Sequence, residues 1–354
     1  MDVCNPSVLF STLSHIQRIY SLYTKKGEIT LIEVSHLTKR YGGHTAVSDL
    51  SFTIEKGRIT GFLGPNGAGK STTMNIIAGC LGASEGSVSI DGHDVFEEPR
   101  QAKRQVGYLP EIPPLYADMT PEEYLRFVLG AKGVRRSEWD AQLRHVMDRT
   151  KLHDVRRRLI GQLSKGYRQR VGIAQALLGN PEVIILDEPT VGLDPVQIIE
   201  IRELIKELGR DHTIVLSSHI LSEVQAVCDD IMIIAHGRLV ASDTADNLTS
   251  LLASGSTIEL EVRADEQSVR ALLADMESIE RLTCRAGEAG TLRLSVTPRE
   301  NLDIREELFS VFARNSMPLL EMRRERASLE DVFLELTQED GTGNGEEGRK
   351  GDDA

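Results

Sequence analysis

The chain has 354 residues, 40% hydrophobic and 27% charged, with a formal net charge of -13 at pH 7. That composition is globular, with room for two ordinary domains. The acidic balance argues against nucleic acid as a partner, and no run of eighteen apolar residues exists to span a membrane. Cys4, Cys80, Cys228 and Cys284 are scattered without a CxxC pair. This excludes a disulfide framework or metal knuckle and fits a reducing cytoplasm.

Residues 1–30 have neither a basic start followed by an apolar run nor a small-residue cleavage site, so they do not read as a signal peptide. The fold pattern begins at Leu31-Ile32-Glu33-Val34. The codons of Lys26-Gly27-Glu28 can spell a bacterial ribosome-binding site, and leucine's TTG codon can start translation. Two readings stand: a non-native segment from a misplaced gene start, or a genuine extension, loosely helical or disordered.

From 32 to 63, apolar stretches alternate with turn signals, which predicts antiparallel strands over LIEV and AVSDLSFTI and a core strand in RITGFLG. Gly64-Pro65-Asn66-Gly67-Ala68-Gly69-Lys70-Ser71 follows, and apolar residues then recur at helical spacing from Lys70 to Cys80. A glycine-rich loop between strand and helix cradles phosphate. Gly67 and Gly69 let backbone N–H groups turn inward, and the helix adds its positive end. Lys70 is expected at the β and γ phosphates and Ser71 on Mg²⁺, with Thr72 beside them among the nucleotide-binding residues. SVSI-Asp91-Gly92 is a hairpin signal.

From Thr120 to about Leu163 the pattern is helical. Thr120-Pro121-Glu122-Glu123 reads as a helix start with a capping box, and Tyr124, Phe127, Val128 and Ala131 are expected on one face. A second helix is expected from Ser137 through Leu143, Val146 and Met147. From Val183 to Ile234 come VIIL, a helix around Ile198 to Leu208, TIVLSS, a helix from Ser222, and IMIIA. Short apolar strands separated by helices imply a buried parallel sheet. Residues 257–337 read as a small α+β domain of ferredoxin-like kind. Its strands are IELEVRA, TLRLSVT and LLEMRRE, its helices SVRALLADM, IREELFSVFA and SLEDVFLEL. Arg323, Arg324 and Arg326 read as a solvated face. The Gly-rich, acidic residues 338–354 cannot bury enough apolar surface to order and read as a disordered tail.

Asp187 ends a hydrophobic strand, which aims its carboxylate at the sheet edge where the phosphate loop lies; its expected role is to hold Mg²⁺ through water. Glu188 is expected to orient or deprotonate the attacking water. His219, one strand further on, is expected near the γ phosphate.

With these motifs in this order, residues 32 to about 245 resemble the ATP-binding domain of ABC transporters. The resemblance covers about three-fifths of the chain. It implies an α/β fold, a P-loop NTPase cassette over 31–245. The cassette would hold a mixed core sheet, an antiparallel β subdomain and a helical lobe at about 116–165, with the small α+β domain appended. Leu163-Ser164-Lys165-Gly166-Tyr167 matches the family signature, normally LSGGQ, so Ser164 and Gly166 are expected on the nucleotide held by a partner subunit. Lys165 and Tyr167 depart from that pattern, and an added cation there either favours phosphate or faces solvent. Tyr41 sits where the family stacks an aromatic on adenine. Asp194, in Gly192-Leu193-Asp194-Pro195, counts with the nucleotide-binding residues. Glu111 replaces a glutamine that senses Mg²⁺, and a carboxylate still ligates that ion.

The resemblance further implies ATP and Mg²⁺ as cofactors and a homodimer or heterodimer closing on two ATP. It implies a separate transmembrane permease, no nucleic acid, and a cytoplasmic position on the inner face of the membrane. The LPE-x-PPLY variant and the closing SLEDVFLELT resemble type 2 ABC exporters likened to gliding-motility and antibiotic-resistance systems. The alternative is a soluble ABC ATPase with a regulatory role, but translation factors of that kind carry two cassettes. Repair proteins carry a long coiled coil where this chain has about ninety residues. A catalytically dead scaffold conflicts with Lys70, Asp187, Glu188 and His219 all being present.

Overall fold

Alternating burial builds the first sheet. Strand β1 (Thr30–Tyr41) buries Leu31, Ile32, Val34 and Leu37 and pairs antiparallel with β2 (His44–Glu55). Tyr41 faces His44 across a turn in which Gly42 takes φ 59°. On its other side β1 pairs with β4 (Glu85–Ile90), and β5 (His93–Asp94) closes the order β2-β1-β4-β5. The computed structural model describes residues 30–252, 257–274, 276–287, 290–299 and 302–325. The expected extension up to residue 29, Cys4, Arg326, SLEDVFLELT and the tail over 338–354 lie outside the described residues.

Contacts divide the chain into two compact units, residues up to 59 with 71–215, and 60–70 with 216 onward. The first unit holds the antiparallel sheet, β6 (Val106–Leu109) parallel to β7 (Val183–Leu186), and the first half of β8 (Thr213–Ser218). VIIL and TIVLSS are buried at every position, as a sheet covered on both faces requires. Its helices are α1 (Lys70–Ile77, from Ser71), α2 (Pro99–Arg104), α3 (Pro121–Ala131), α4 (Trp139–Arg149), α5 (Lys165–Leu177) and α6 (Pro195–Leu208).

Helix α3 starts as its sequence dictates. Glu123 N–H donates to Thr120 Oγ1 at 3.3 Å, and Thr120 N–H donates to Glu123 Oε2 at 2.9 Å. Thr120→Ala is expected to cost about 1 kcal/mol of stability, read as a lowered Tm, whereas Thr120→Ser is expected to keep the parent Tm. The buried face of α3 is Tyr124, Leu125, Val128 and Leu129. Tyr124 and Phe127 do lie on one face, both meeting Tyr116 edge-on with ring centroids 5.9 and 5.5 Å away, but Phe127 and Ala131 at its margin are exposed.

The second unit holds β3 (Ile59–Leu63, from Thr60) parallel to β9 (Asp230–Ala235), with β10 (Arg238–Asp243) antiparallel beyond it and the last half of β8. Helices α7 (Leu221–Val227) and α8 (Ala245–Leu252) accompany them. A separate antiparallel sheet follows in the order β12-β13-β11-β14, from β11 (Thr257–Val262), β12 (Ile279–Ala286), β13 (Leu292–Pro298) and β14 (Leu319–Glu325). With α9 (Glu266–Leu273) between β11 and β12 and α10 (Arg305–Arg314) between β13 and β14, this is a split β-α-β-β-α-β arrangement, in which β12 is a strand beyond the three that the sequence pattern announces. Its core gathers Ile258, Leu260, Val269, Leu294, Leu308 and Phe312. Arg323 is exposed as expected. Arg324 is not a solvated residue: it stands opposite fully buried Ile258, half-buried, with Nη1 3.9 Å from Asp303 Oδ2. Among the described residues no helix is long and apolar enough to cross a membrane.

Candidate nucleotide site

Strand β3, buried along its length, delivers the phosphate loop. At Gly64 a Cβ would lie 2.3 Å from the carbonyl oxygen of Ile234, so only glycine lets the loop leave the sheet here. Gly67 (φ 81°) and Gly69 (φ 102°) then turn the chain through conformations closed to most residues. Ala68 N–H donates to Pro65 O at 3.2 Å, and Gly237 N–H donates to Ala68 O at 3.1 Å, which fixes Asn66 and Gly67 at the tip. Lys70 is only 5% exposed, and its ammonium donates to Gly64 O at 2.9 Å and Pro65 O at 3.2 Å. The loop therefore curls around its own lysine at the start of α1, with N–H groups and positive charge converging as an anion site requires. In the same unit His219 follows β8 and is exposed, beside Ser218, whose hydroxyl donates to Glu223 Oε2 at 3.2 Å.

In the first unit, Asp187 ends β7 with 2% exposure, and its N–H donates to Leu109 O at 2.9 Å. Ser71 Oγ donates to Asp187 Oδ1 at 3.0 Å, bridging 116 positions of sequence. Asn75, one turn along α1, donates from Nδ2 to Ser71 O at 2.7 Å, and Tyr108 donates to Asn75 Oδ1 at 3.3 Å. Burial, and then the negative charge of Asp187, hold the Tyr108 phenol protonated well above its usual range. A hydroxyl beside a buried carboxylate is a hard-oxygen pair suited to Mg²⁺. Among the described residues no group of three His, Cys, Asp or Glu could hold a metal alone, and such a pair suits an ion that also takes phosphate and water as ligands.

Glu188, next in the chain, is 6% exposed and has φ 48°. A non-glycine residue in the left-handed region is uncommon and carries strain of order 1–3 kcal/mol, which clusters at functional positions. Two turns hold it there: Val191 N–H donates to Glu188 O and Leu193 N–H donates to Thr190 O, both at 3.2 Å.

The signature residues form a second group. Ser164 caps α5, its Oγ accepting from Tyr167 N–H at 3.3 Å. Asp194 caps α6, accepting from Gln197 N–H at 2.9 Å. Lys165 is exposed, but its chain neither stands free in solvent nor extends away. At Gly192 a Cβ would lie 2.2 Å from Lys165 Nζ. Of the remaining expected residues, Tyr41 is 49% exposed at the end of β1 with the Lys39 ammonium 5.2 Å from its ring centre. Thr72 is half-buried in α1 and Glu111 is exposed after β6.

Sequence reasoning missed Asn75, Tyr108 and Gln197. Asn75 carried a usable signal, since i+4 from Ser71 is one helical turn; Gln197 carried none.

A family model described as ABC transporter matches residues 47–191, which includes the phosphate loop, the signature, Asp187 and Glu188. The chain is similar to the bacitracin transport ATP-binding protein BcrA of Bacillus licheniformis, 33% identical over 309 residues, 87% of this chain and 97% of that protein. It is also similar to the linearmycin resistance ATP-binding protein LnrL of Bacillus subtilis (strain 168), 30% identical over 308 residues, 87% of this chain and 98% of that one. Among solved structures, the dimeric structure of the bacterial ABC transporter cassette MJ0796 is similar, with TM-score 0.56, 26% identity, and coverage of 60% of this chain and 98% of that one. Similarity over nearly the whole length of a transport ATP-binding protein, joined to a phosphate loop whose serine bonds the buried strand-end acid, makes this chain a member of the ABC transporter family, as an ATP-binding and ATP-hydrolysing subunit.

Proposed function

We propose that this chain pairs head to tail with a second copy or a related subunit around two ATP molecules, and that closure drives a separate membrane permease. The observation that carries the reading is the 3.0 Å hydrogen bond from Ser71 to Asp187, which joins the residue after the phosphate-loop lysine to the acid beside Glu188. In this reading Gly64 to Gly69 wrap the phosphates with backbone N–H groups, and Lys70 neutralises the β and γ oxygens. Ser71 and Asp187 would hold Mg²⁺, with Glu111 as a further ligand, and the bound cation would supply positive charge against the phosphates. Glu188 takes a proton from the water whose oxygen attacks the γ phosphorus. The bond from that phosphorus to the β–γ bridging oxygen breaks, giving ADP and phosphate. His219 donates to a γ oxygen as its charge develops. Ser164 and Gly166 serve the partner's nucleotide, and Thr72 and Asp194 line the chain's own side. Tyr41 stacks on adenine, and Tyr41→Ala is expected to weaken ATP binding about 3–10-fold while Tyr41→Trp retains it, read by nucleotide titration.

The dimer is supported by the dimeric cassette to which the chain is similar, and export by relatives named for bacitracin transport and linearmycin resistance. We place the cassette at 31–245, with its helical lobe at about 116–165, and an accessory domain at 257–337, a division supported by that region's own sheet and core. The permease is proposed to dock on exposed apolar residues of the first unit, Ile112 (83%), Tyr116 (47%) and Phe127 (49%). The chain would then lie in the cytoplasm, held to the inner face of the membrane through that partner, with no nucleic acid involved. Pull-down from detergent-solubilised membranes is expected to retain a multi-helix hydrophobic protein, and Ile112→Asp with Phe127→Asp is expected to lose it. Equal retention by that variant contradicts the docking surface.

A further inference from the structure

We infer that Lys165 is a positioning residue, tying the signature to the loop behind Glu188 so that closure on the partner's nucleotide is felt at this chain's own site. The inference rests on the proposed roles of Ser164, Gly166 and Glu188.

The starts of α5 and α6 interlock through two glycines. At Gly166 a Cβ would lie 2.7 Å from Gln197 Cδ and 2.8 Å from its Oε1, so the Gln197 side chain from α6 rests on the signature glycine. At Gly192 a Cβ would lie 2.2 Å from Lys165 Nζ, 3.4 Å from Cε and 3.7 Å from Cδ, so the signature lysine runs along the loop before α6. Each helix start supplies one side chain and one glycine. A third tie lies further along, where buried Arg170 of α5 donates from Nη2 to Glu200 Oε2 of α6 at 2.6 Å.

The loop from Glu188 to Asp194 is held by hydrogen bonds on both sides of its exposed Gly192. Asp187 to Thr190 are buried, two turn hydrogen bonds at 3.2 Å link Glu188 to Val191 and Thr190 to Leu193, and Asp194 is fixed as the cap of α6. These bonds form a continuous route from Gly192 and Gln197 to Glu188, and the coupling along it is what the variants below measure. The lysine is also out of place by local rules. A cation in the first turn opposes the helix dipole, and α5 has no acidic residue there to offset it. Its contact along Gly192 gives the lysine a role that helix stability does not.

The test uses the full chain with Mg²⁺ and ATP, in parent form and as Lys165→Gly, Lys165→Arg, Gln197→Ala and Glu188→Gln. Nucleotide affinity, kcat and the Hill coefficient for ATP are read for each, with thermal melting as the check on folding. Lys165→Gly and Gln197→Ala are expected to bind ATP within about twofold of the parent, to lose about 3–30-fold in kcat, and to lower a Hill coefficient above one toward one. Lys165→Arg, which keeps the long cationic chain, is expected to recover most of both. Parent-like kcat and Hill coefficient in the two variants overturn the inference, as does a loss confined to ATP affinity or a parent Hill coefficient of one. If Lys165→Gly does not fold, Gln197→Ala decides by the same criteria. Parent-rate hydrolysis by Glu188→Gln instead overturns the underlying reading of the site, whatever Lys165 does.

Discussion

Glu188→Gln is expected to bind ATP as the parent does and to turn it over about 10²–10⁴-fold more slowly, a rise in barrier of about 3–5 kcal/mol. The amide has the shape of the carboxylate and suits the same buried position, but it cannot accept the proton of the attacking water. The comparison is clean because Glu188 already sits at φ 48°. Glutamine pays the same backbone strain, so the difference between the two proteins reports the carboxylate alone. Phosphate release beside a nucleotide titration measures it. A variant that hydrolyses ATP at the parent rate removes Glu188 from the chemistry.

Lys70→Ala is expected to weaken ATP binding about 10–10²-fold, because a charge-assisted hydrogen bond to phosphate is worth about 1.5–3 kcal/mol and two of the three ammonium N–H groups already go to Gly64 O and Pro65 O. The loop is affected as well. Lys70 is the internal post around which Gly64 O and Pro65 O are gathered, so its removal leaves two carbonyls seeking other donors. Lys70→Arg keeps the charge but must fit a wider, planar group where the native side chain is 5% exposed. It is expected to recover little of the loss. Calorimetric titration of both variants separates charge from shape, and parent-like affinity in Lys70→Ala contradicts the phosphate-loop assignment.

The chemistry of the chain was legible from motif order because each motif states its own backbone demand. Glycines mark the loop, an apolar run marks the strand that ends at Asp187, and Thr120 to Glu123 marks a helix start that the hydrogen bonds reproduce. Other elements were hidden for physical reasons. Helix α5 buries Gln169 and Arg170 and exposes Lys165, so no clean apolar stripe announces it. Strand β12 carries a register shift between Ile279 and Arg281, which moves its inward residues to Leu282 and Cys284 and breaks the period of two. In α3 two apolar stripes compete, and periodicity alone cannot choose Leu125 and Leu129 over Phe127 and Ala131. The choice is made by the neighbours, with Tyr116 holding Phe127 at the surface. Within the site, the left-handed backbone of Glu188 and the contact of Lys165 with Gly192 depend on residues distant in sequence, which no local pattern encodes.

The central claim is that each working site is completed by two chains, one giving Lys70, Asp187, Glu188 and His219 and the other giving Ser164 and Gly166. Its most direct test is to mix two inactive proteins, Glu188→Gln and Ser164→Arg, in equal amounts and measure ATP hydrolysis. Ser164 is exposed, so the arginine is expected to fold and to block only the nucleotide-facing side. A mixed dimer then holds one site with both lesions and one with neither. Random pairing makes half the dimers mixed, each with one of its two sites intact, so the mixture is expected to regain measurable activity, up to about a quarter of the parent rate and less as the two sites depend on each other. A mixture as inactive as its two components contradicts the shared site and assigns the whole reaction to a single chain.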